Sequence, residues 1–260
     1  MRFVEANGTR IAADVTGTGT PVVLVHGNEA DHTMFAGFAP LLAARHTVIA
    51  YDQRDSGRTT NPDSPYSLAE MGDDLAGLIA GLGYERAHVF GTSLGGLIAQ
   101  AAAARHAGRI DRLVLASTFR IGKTVGEFNP GALEWLRVHA ADREKHAGET
   151  ARRYFFPPAV VDARPELVDM FRRQTRTPEQ SRRRAALLAG GDRYDLGDIT
   201  APTLVMAGSD DRLIPCDLTL SLAAEIPGAR TAVLDGVGHV GTIQAPERVA
   251  AVVLDFLAGR

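Results

Sequence analysis

The chain has 260 residues, 45% hydrophobic and 23% charged, with a formal net charge of -3, which suits one large α/β domain or a domain carrying an insertion. That charge gives no electrostatic case for a nucleic acid or an acidic membrane surface as partner. The single cysteine, Cys216, excludes an intramolecular disulfide, and without a basic-then-apolar leader or an apolar run near about 20 residues the expectation is a cytoplasmic protein.

In chain order, the start RFVEANGTRIAADVTGTG holds two strand-like runs around Asn7-Gly8, a hairpin signal. PVVLVHG (21–27) is a continuous apolar, β-branched run, as in a strand buried on both faces of a parallel sheet. TVIAYD (47–52), AHVFG (87–91), RLVLAS (112–117) and PTLVMAG (202–208) repeat it, and RTAVLDG (230–236) is a weaker version. Helical stretches are expected at 34–44, 68–81, 94–106, 217–226 and 246–258. The alternation indicates an α/β fold, a mostly parallel sheet with helices on both faces. Residues 119–198 break it. They are polar, Arg-rich and helical in pattern, and too long for a loop. The expected organisation is a core of 1–118 and 199–260 with a helical cap at 119–198. The cap arginines are expected to pair on solvated helix faces.

In open α/β sheets ligands bind beyond the carboxyl ends of the strands. After AHVF comes GTSLGG, so Gly91-x-Ser93-x-Gly95 stands between a strand and an Ala-rich helix. This is the pattern of a nucleophile elbow, a turn so sharp that only small residues fit beside the serine. A serine hydroxyl needs a base at neutral pH. Of eight histidines, His239 follows the last expected strand and precedes the last helix, at the sheet edge of Ser93. His46, His106, His139 and His146 lie in or near helices and His88 begins a strand; His26 and His32 lie near the site with structural roles. The base needs a carboxylate to set its tautomer, and GSDDRLIP (208–215) offers two, Asp210 and Asp211.

Over essentially its whole length the sequence resembles the α/β-hydrolase family. The resemblance rests on VVLVHG, YDQRDSGRT, FGTSLGGLIAQ, RLVLAST, PTLVMAGSDDRLIP and GVGHVGTIQAPE. It implies an α/β-hydrolase fold with a Ser-His-Asp triad. The family's G-x-x-D-x-x-x-P loop falls on Gly208, Asp211 and Pro215, which makes Asp211 the triad acid. Adjacent residues in near-extended chain point opposite ways, so Asp210 orders the loop. The implied oxyanion donors are the backbone N–H groups of Leu94 and Asn28. Asp55 stands where the family's D-x-R-G-x-G pattern has its first glycine. Serine at the nucleophile position argues against the family's dehalogenases and epoxide hydrolases, which use Asp.

Within the family the chain looks most like 3-oxoadipate enol-lactonases and small carboxylesterases. The implied activity is hydrolysis of a small-molecule ester or lactone. Trp135, Phe155 and Phe156 are candidates for the substrate pocket. A carbon–carbon bond hydrolase of the same fold and a non-catalytic ligand-binding or biosynthetic member are the competing readings. No cofactor is expected, no His/Cys/carboxylate spacing marks a metal site, and a homodimer is compatible with the sequence.

Overall fold

The computed structural model describes residues 1–172, 175–189 and 191–259. Positions 173, 174 and 190, which belong to the expected cap, lie outside the described residues.

Eight strands form one sheet in the order β1-β2-β4-β3-β5-β6-β7-β8. β1 (Arg2–Ala6) and β2 (Thr9–Thr16) make the antiparallel hairpin, with Asn7 and Gly8 both at positive φ in its turn. β2 pairs antiparallel with β4 (Thr47–Tyr51). β3 (Pro21–Val25), β5 (Ala87–Thr92), β6 (Ile110–Ala116), β7 (Thr203–Gly208) and β8 (Arg230–Leu234) continue the sheet in parallel. The central strands are mostly apolar because both faces are covered. In β3, Val23 and Val25 join one core cluster while Val22 and Leu24 join the other.

One face carries α2 (Leu68–Gly81) and α3 (Leu94–Arg105). α2 starts at a capping box in which Ser67 and Glu70 satisfy each other's backbone N–H groups. Its Leu68, Met71, Leu75, Leu78 and Ile79 recur at helical spacing and are buried. The other face carries α1 (Ala39–Ala43) and the C-terminal helix Pro246–Leu257, whose Val249, Val253 and Phe256 pack with Leu42. The stretch 34–44 is less helical than its composition suggests. A 3₁₀ turn at His32–Phe35 comes first, and α1 starts afresh with Pro40 in its first turn, where the missing N–H costs nothing.

Between β6 and β7 the chain runs through α4 (Val125–Phe128), α5 (Pro130–Val138), α6 (Arg143–Thr150), a π-turn at Ala151–Phe155, α7 (Pro158–Ala163), α8 (Asp169–Arg172) and α9 (Pro178–Leu188). The expectation of solvated arginines holds for Arg137, Arg172 and Arg182, each paired with an acid three residues before it. It fails for Arg176 and Arg184, which are buried. Arg184 donates to Gln53 Oε1 (3.1 Å) and to the Arg54 carbonyl (2.5 Å). Arg183 makes a two-pronged pair with Asp55, at 2.9 Å for both bonds. A local pattern of charge does not reveal these partners, because they lie about 130 residues away in the core. After β7 come α10 (Cys216–Leu220), then β8, α11 (Gly241–Gln244) and α12, the C-terminal helix described above. Among the described residues no helix is long and apolar enough to cross a membrane.

The strand order reverses at β3. The chain leaves β3 for β4 on one side and returns to β5 on the other. The loops after β3 and β5 therefore diverge, and a crevice opens between them at the carboxyl edge.

α2 and α3 cross closely at Gly72, where a Cβ would meet Ala102 N at 2.9 Å and Ala101 Cβ at 3.1 Å. Alanine would add about 1 kcal/mol of helix propensity, but overpacking against backbone costs about 1–3 kcal/mol. The steric term is expected to win, so Gly72→Ala should lower the urea midpoint; an unchanged or raised midpoint would contradict this packing.

Candidate active site

Ser93 stands at the crevice. Its backbone is at φ 54° and ψ -123°, a strained conformation for a residue with a side chain. The turn is that tight because β5 must become α3 within one residue. A Cβ on Gly91 would lie 2.4 Å from the Gly95 carbonyl oxygen, and one on Gly95 would lie 2.0 Å from that of Val25. Hence both positions need glycine. The Ser93 N–H donates to the Ala116 carbonyl at 3.1 Å, and the Ser93 carbonyl accepts from Thr118 Oγ1 at 2.8 Å.

Asp211 and His239 meet across the ends of β7 and β8. His239 Nδ1 is 2.8 Å from Asp211 Oδ2, and both side chains are buried. The other carboxylate oxygen, Oδ1, accepts the N–H groups of Leu213 (3.0 Å) and Ile214 (2.9 Å). One oxygen is thus locked by the loop and the other is left for the imidazole. Asp210 uses its backbone N–H on the Val237 carbonyl, and its Oδ2 accepts from Ser209 Oγ at 3.2 Å. Asp210 therefore orders the two loops and takes no part in the Asp211–His239 contact. His239 and Thr92, the residue before Ser93, line one small cavity. With Nδ1 turned to the carboxylate, Nε2 is the nitrogen free to exchange a proton.

Two donors can serve an anionic oxygen here. Leu94 opens α3, so its N–H has no acceptor within the helix. The loop His26-Gly27-Asn28 follows β3 and passes against the serine, for a Cβ on Gly27 would stand 3.9 Å from Ser93 Oγ. That brings Asn28 beside it; the buried Asn28 Oδ1 has no hydrogen-bond partner among the described residues. His26 is held by Gln53, whose Nε2 donates to the His26 carbonyl at 2.6 Å. Burial keeps the His26 imidazole neutral, its pKa lowered to about 3.

The three aromatic candidates separate. Phe155 packs edge-on against His239 with ring centroids 5.4 Å apart, and its carbonyl accepts the His239 N–H at 2.8 Å. Phe156 is buried in a small apolar cluster with Ala147, Val161 and Val240. Trp135 donates to Thr150 Oγ1 at 3.0 Å and stacks on His139, within the insertion.

Motif reading noticed Asp55 only as a departure from glycine. It keeps positive φ, at 54°, and becomes a charged hub bound by Arg183, Tyr66 and Asn61. Burial alone would raise its carboxyl pKa, but those bonds outweigh burial and hold it below the usual range. Asp31, His32 and Asp52 have ligand atoms within 4.8 Å of one another. They are already engaged: Asp52 Oδ1 accepts from the His32 backbone at 2.9 Å, Asp52 Oδ2 from the Arg58 N–H at 2.8 Å, and Asp31 from the Thr33 N–H at 2.8 Å. They order the chain after Asn28.

The sequence pattern of the α/β hydrolase fold matches residues 20–246. RutD of Caulobacter sp., named as a carbamate hydrolase, is 33% identical over 92% of this chain and 90% of its own. The 2-hydroxymuconate semialdehyde hydrolase of a Pseudomonas species is 31% identical over 99% of this chain and 93% of its own. The solved enol-lactonase of Burkholderia xenovorans superposes with a TM-score of 0.85 at 28% identity, over 99% of this chain and all of that one (100%).

Two buried histidines make acid stability testable. Burial lowers His26 to about 3 and His88 to about 4, from an ordinary 6.5. Below pH 6.5 the unfolded chain binds protons that the folded chain refuses, so their contribution is complete above 6.5 and lost as pH falls toward 4. The melting temperature should drop between pH 7 and pH 5, and His88→Gln should shrink that drop; an equal drop in the variant would refute the assignment.

Proposed function

The chain belongs to the α/β-hydrolase fold family, and on that footing we propose that it is a serine hydrolase cleaving a small-molecule carboxylic ester or lactone through an acyl-enzyme. The observation that carries the reading is the His239 imidazole, locked through Nδ1 to Asp211 at the same carboxyl edge of the sheet as the strained turn of Ser93.

In this reading Ser93 Oγ attacks the substrate carbonyl while His239 Nε2 takes the hydroxyl proton. Asp211 stabilises the resulting imidazolium and holds the productive tautomer. The tetrahedral oxyanion is received by the N–H groups of Leu94 and Asn28. His239 then returns the proton to the leaving alkoxide. With an ester the alcohol departs; with a lactone it stays tethered to the acyl group. Water, deprotonated by His239, attacks the acyl-enzyme, and the acid leaves as Ser93 regains its proton. No step calls for a cofactor. The segment 119–198 acts as a cap over the core of 1–118 and 199–260, and Phe155 is its residue at the reacting centre.

The ester and lactone reading is supported by Ser93 itself, since serine forms a hydrolysable acyl ester, and by the likeness to the enol-lactonase. The likeness to the semialdehyde hydrolase keeps carbon–carbon cleavage as the alternative that an assay must separate.

Short p-nitrophenyl esters should be turned over by the wild type and not by Ser93→Ala. Asp211→Asn should lower kcat by about 10³–10⁴-fold, while Asp210→Asn stays near wild type. Equal activity in Ser93→Ala, or a larger loss in Asp210→Asn than in Asp211→Asn, would overturn the reading. Faster cleavage of a ring-cleavage diketone than of an enol-lactone would move it to carbon–carbon hydrolysis.

A further inference from the structure

Glu29 follows Asn28 directly and sits at φ 55°. Left-handed backbone is unfavourable for a residue with a side chain, and it persists only where the surroundings enforce it. The enforcing contacts come from the insertion. Arg143, at the start of α6, places Nη1 2.9 Å from Glu29 Oε2. Arg176 places Nη1 3.1 Å from Glu29 Oε1.

Arg176 is not a loose surface cation. Its side chain is 1% exposed. Its Nε donates to the Asp55 carbonyl at 2.8 Å and its Nη2 to Ser56 Oγ at 3.0 Å. Its Nη1 is buried with no aligned hydrogen-bond acceptor among the described residues, so it meets Glu29 as an ion pair. Exposed ion pairs add little stability, but removing one partner from a buried cation costs more.

The chain on either side of Glu29 is tied to the core. His26 is held by Gln53, and His32 by Asp52 at 2.7 Å. Between those anchors, the carboxylate of Glu29 is the tether that reaches outside the loop among the described contacts. Turning the Glu29 backbone would swing the peptide groups beside it, and with them Asn28.

We infer that Glu29 is a positioning residue, clamped by Arg143 and Arg176 of the insertion so that the Asn28 N–H is held ready for the oxyanion. The catalytic half of this rests on the acyl-transfer reading above. The oxyanion site is then built by two parts of the chain. The core contributes Leu94 outright, and it contributes Asn28 only while the insertion is docked on Glu29.

The test uses Glu29→Gln, Glu29→Ala, Glu29→Gly and, on the more exposed arm of the clamp, Arg143→Ala. With a p-nitrophenyl ester, losing a whole oxyanion donor costs about 10²–10³-fold in kcat, so loosening one should cost about tenfold in Glu29→Gln and more in Glu29→Ala. KM should stay within about twofold, because the contact is made in the transition state. Glu29→Gly should exceed Glu29→Ala in kcat, since glycine adopts positive φ without cost. Backbone amide hydrogen exchange at residues 27–30 should speed up in Glu29→Gln and Arg143→Ala while that of α2 and α3 stays unchanged. Unaltered exchange in both would overturn the clamp whatever the activity. A rise in KM at constant kcat, or Glu29→Gly falling below Glu29→Ala, would overturn the positioning role. If turnover independent of Ser93 removed the acyl-transfer reading, the catalytic half would fall with it, while faster exchange would still establish the clamp.

Discussion

The structure is organised around one unfavourable backbone conformation, that of Ser93. A strand is forced into a helix through a single residue in a sparsely populated region, at a cost of about 1–3 kcal/mol. The surroundings must over-determine it, and they do so in three directions. β6 supplies the Ala116 carbonyl for the Ser93 N–H. The segment after β6 supplies the Thr118 hydroxyl for the Ser93 carbonyl. β3 approaches so closely that Gly95 has no room for a methyl group. The consequence spreads outward, because α3 is pressed onto the sheet and carries a run of small residues beside its buried Leu97, Ile98 and Gln100. Ala99, Ala101, Ala102 and Ala103 are all buried. α2 can then come close enough that Gly72 meets the α3 backbone. The close packing that begins at the strained serine thus extends to a glycine on the neighbouring helix.

A second constraint is the burial of positive charge between insertion and core. Arg184 is 1% exposed, and its recorded bonds go to neutral oxygens of Gln53, Arg54 and Ser56. Burial and the neighbouring Arg176 lower its pKa to about 10, so it remains charged at neutral pH. Desolvating a guanidinium without a carboxylate at bonding distance is costly, and oily side chains would adhere more strongly. What the arginines contribute is registry. Arg184 reaches Gln53 and the Arg54 carbonyl, Arg183 grips Asp55, and Arg176 spans the Asp55 carbonyl, Ser56 and Glu29. Each contact is directional, so α9 and the turn before it can seat on the β4 exit in one arrangement.

These two constraints differ in how far the sequence reveals them. The parallel strands are legible because burial on both faces writes a continuous apolar run, and their observed limits differ from 21–27, 47–52 and 87–91 by two residues at most. The elbow is legible because steric exclusion leaves glycine at 91 and 95. The choice between Asp210 and Asp211 follows from motif spacing and from the opposite direction of adjacent side chains, as their different partners reflect. The insertion is far less legible. Several of its helices are only four to six residues long, too short for a full amphipathic repeat. The run Arg182-Arg183-Arg184 makes the limit plain: the first pairs with Glu179 in solvent, the second with Asp55, and the third is buried. Identical side chains in adjacent positions take three fates, two of them decided by groups more than a hundred residues away. The positive φ of Glu29 and the π-turn before Phe156 belong to the same class.

The π-turn completes the division of labour between core and insertion. An extra residue in a helical turn shifts a carbonyl out of the regular ladder, and such turns recur at functional sites. Here the Phe155 carbonyl accepts the His239 N–H, and the Phe155 ring stands against the imidazole. The approach leaves no space for a side chain at Gly238, where a Cβ would lie 2.4 Å from that carbonyl oxygen. The insertion therefore grips the backbone at His239 on one side of Ser93 and, through Glu29, the loop of Asn28 on the other. A segment bonded at both places is a fixed wall. Swinging it away would release His239 and the loop of Asn28 together, so access to Ser93 is better served by side-chain movement around that wall than by a hinge of the whole insertion.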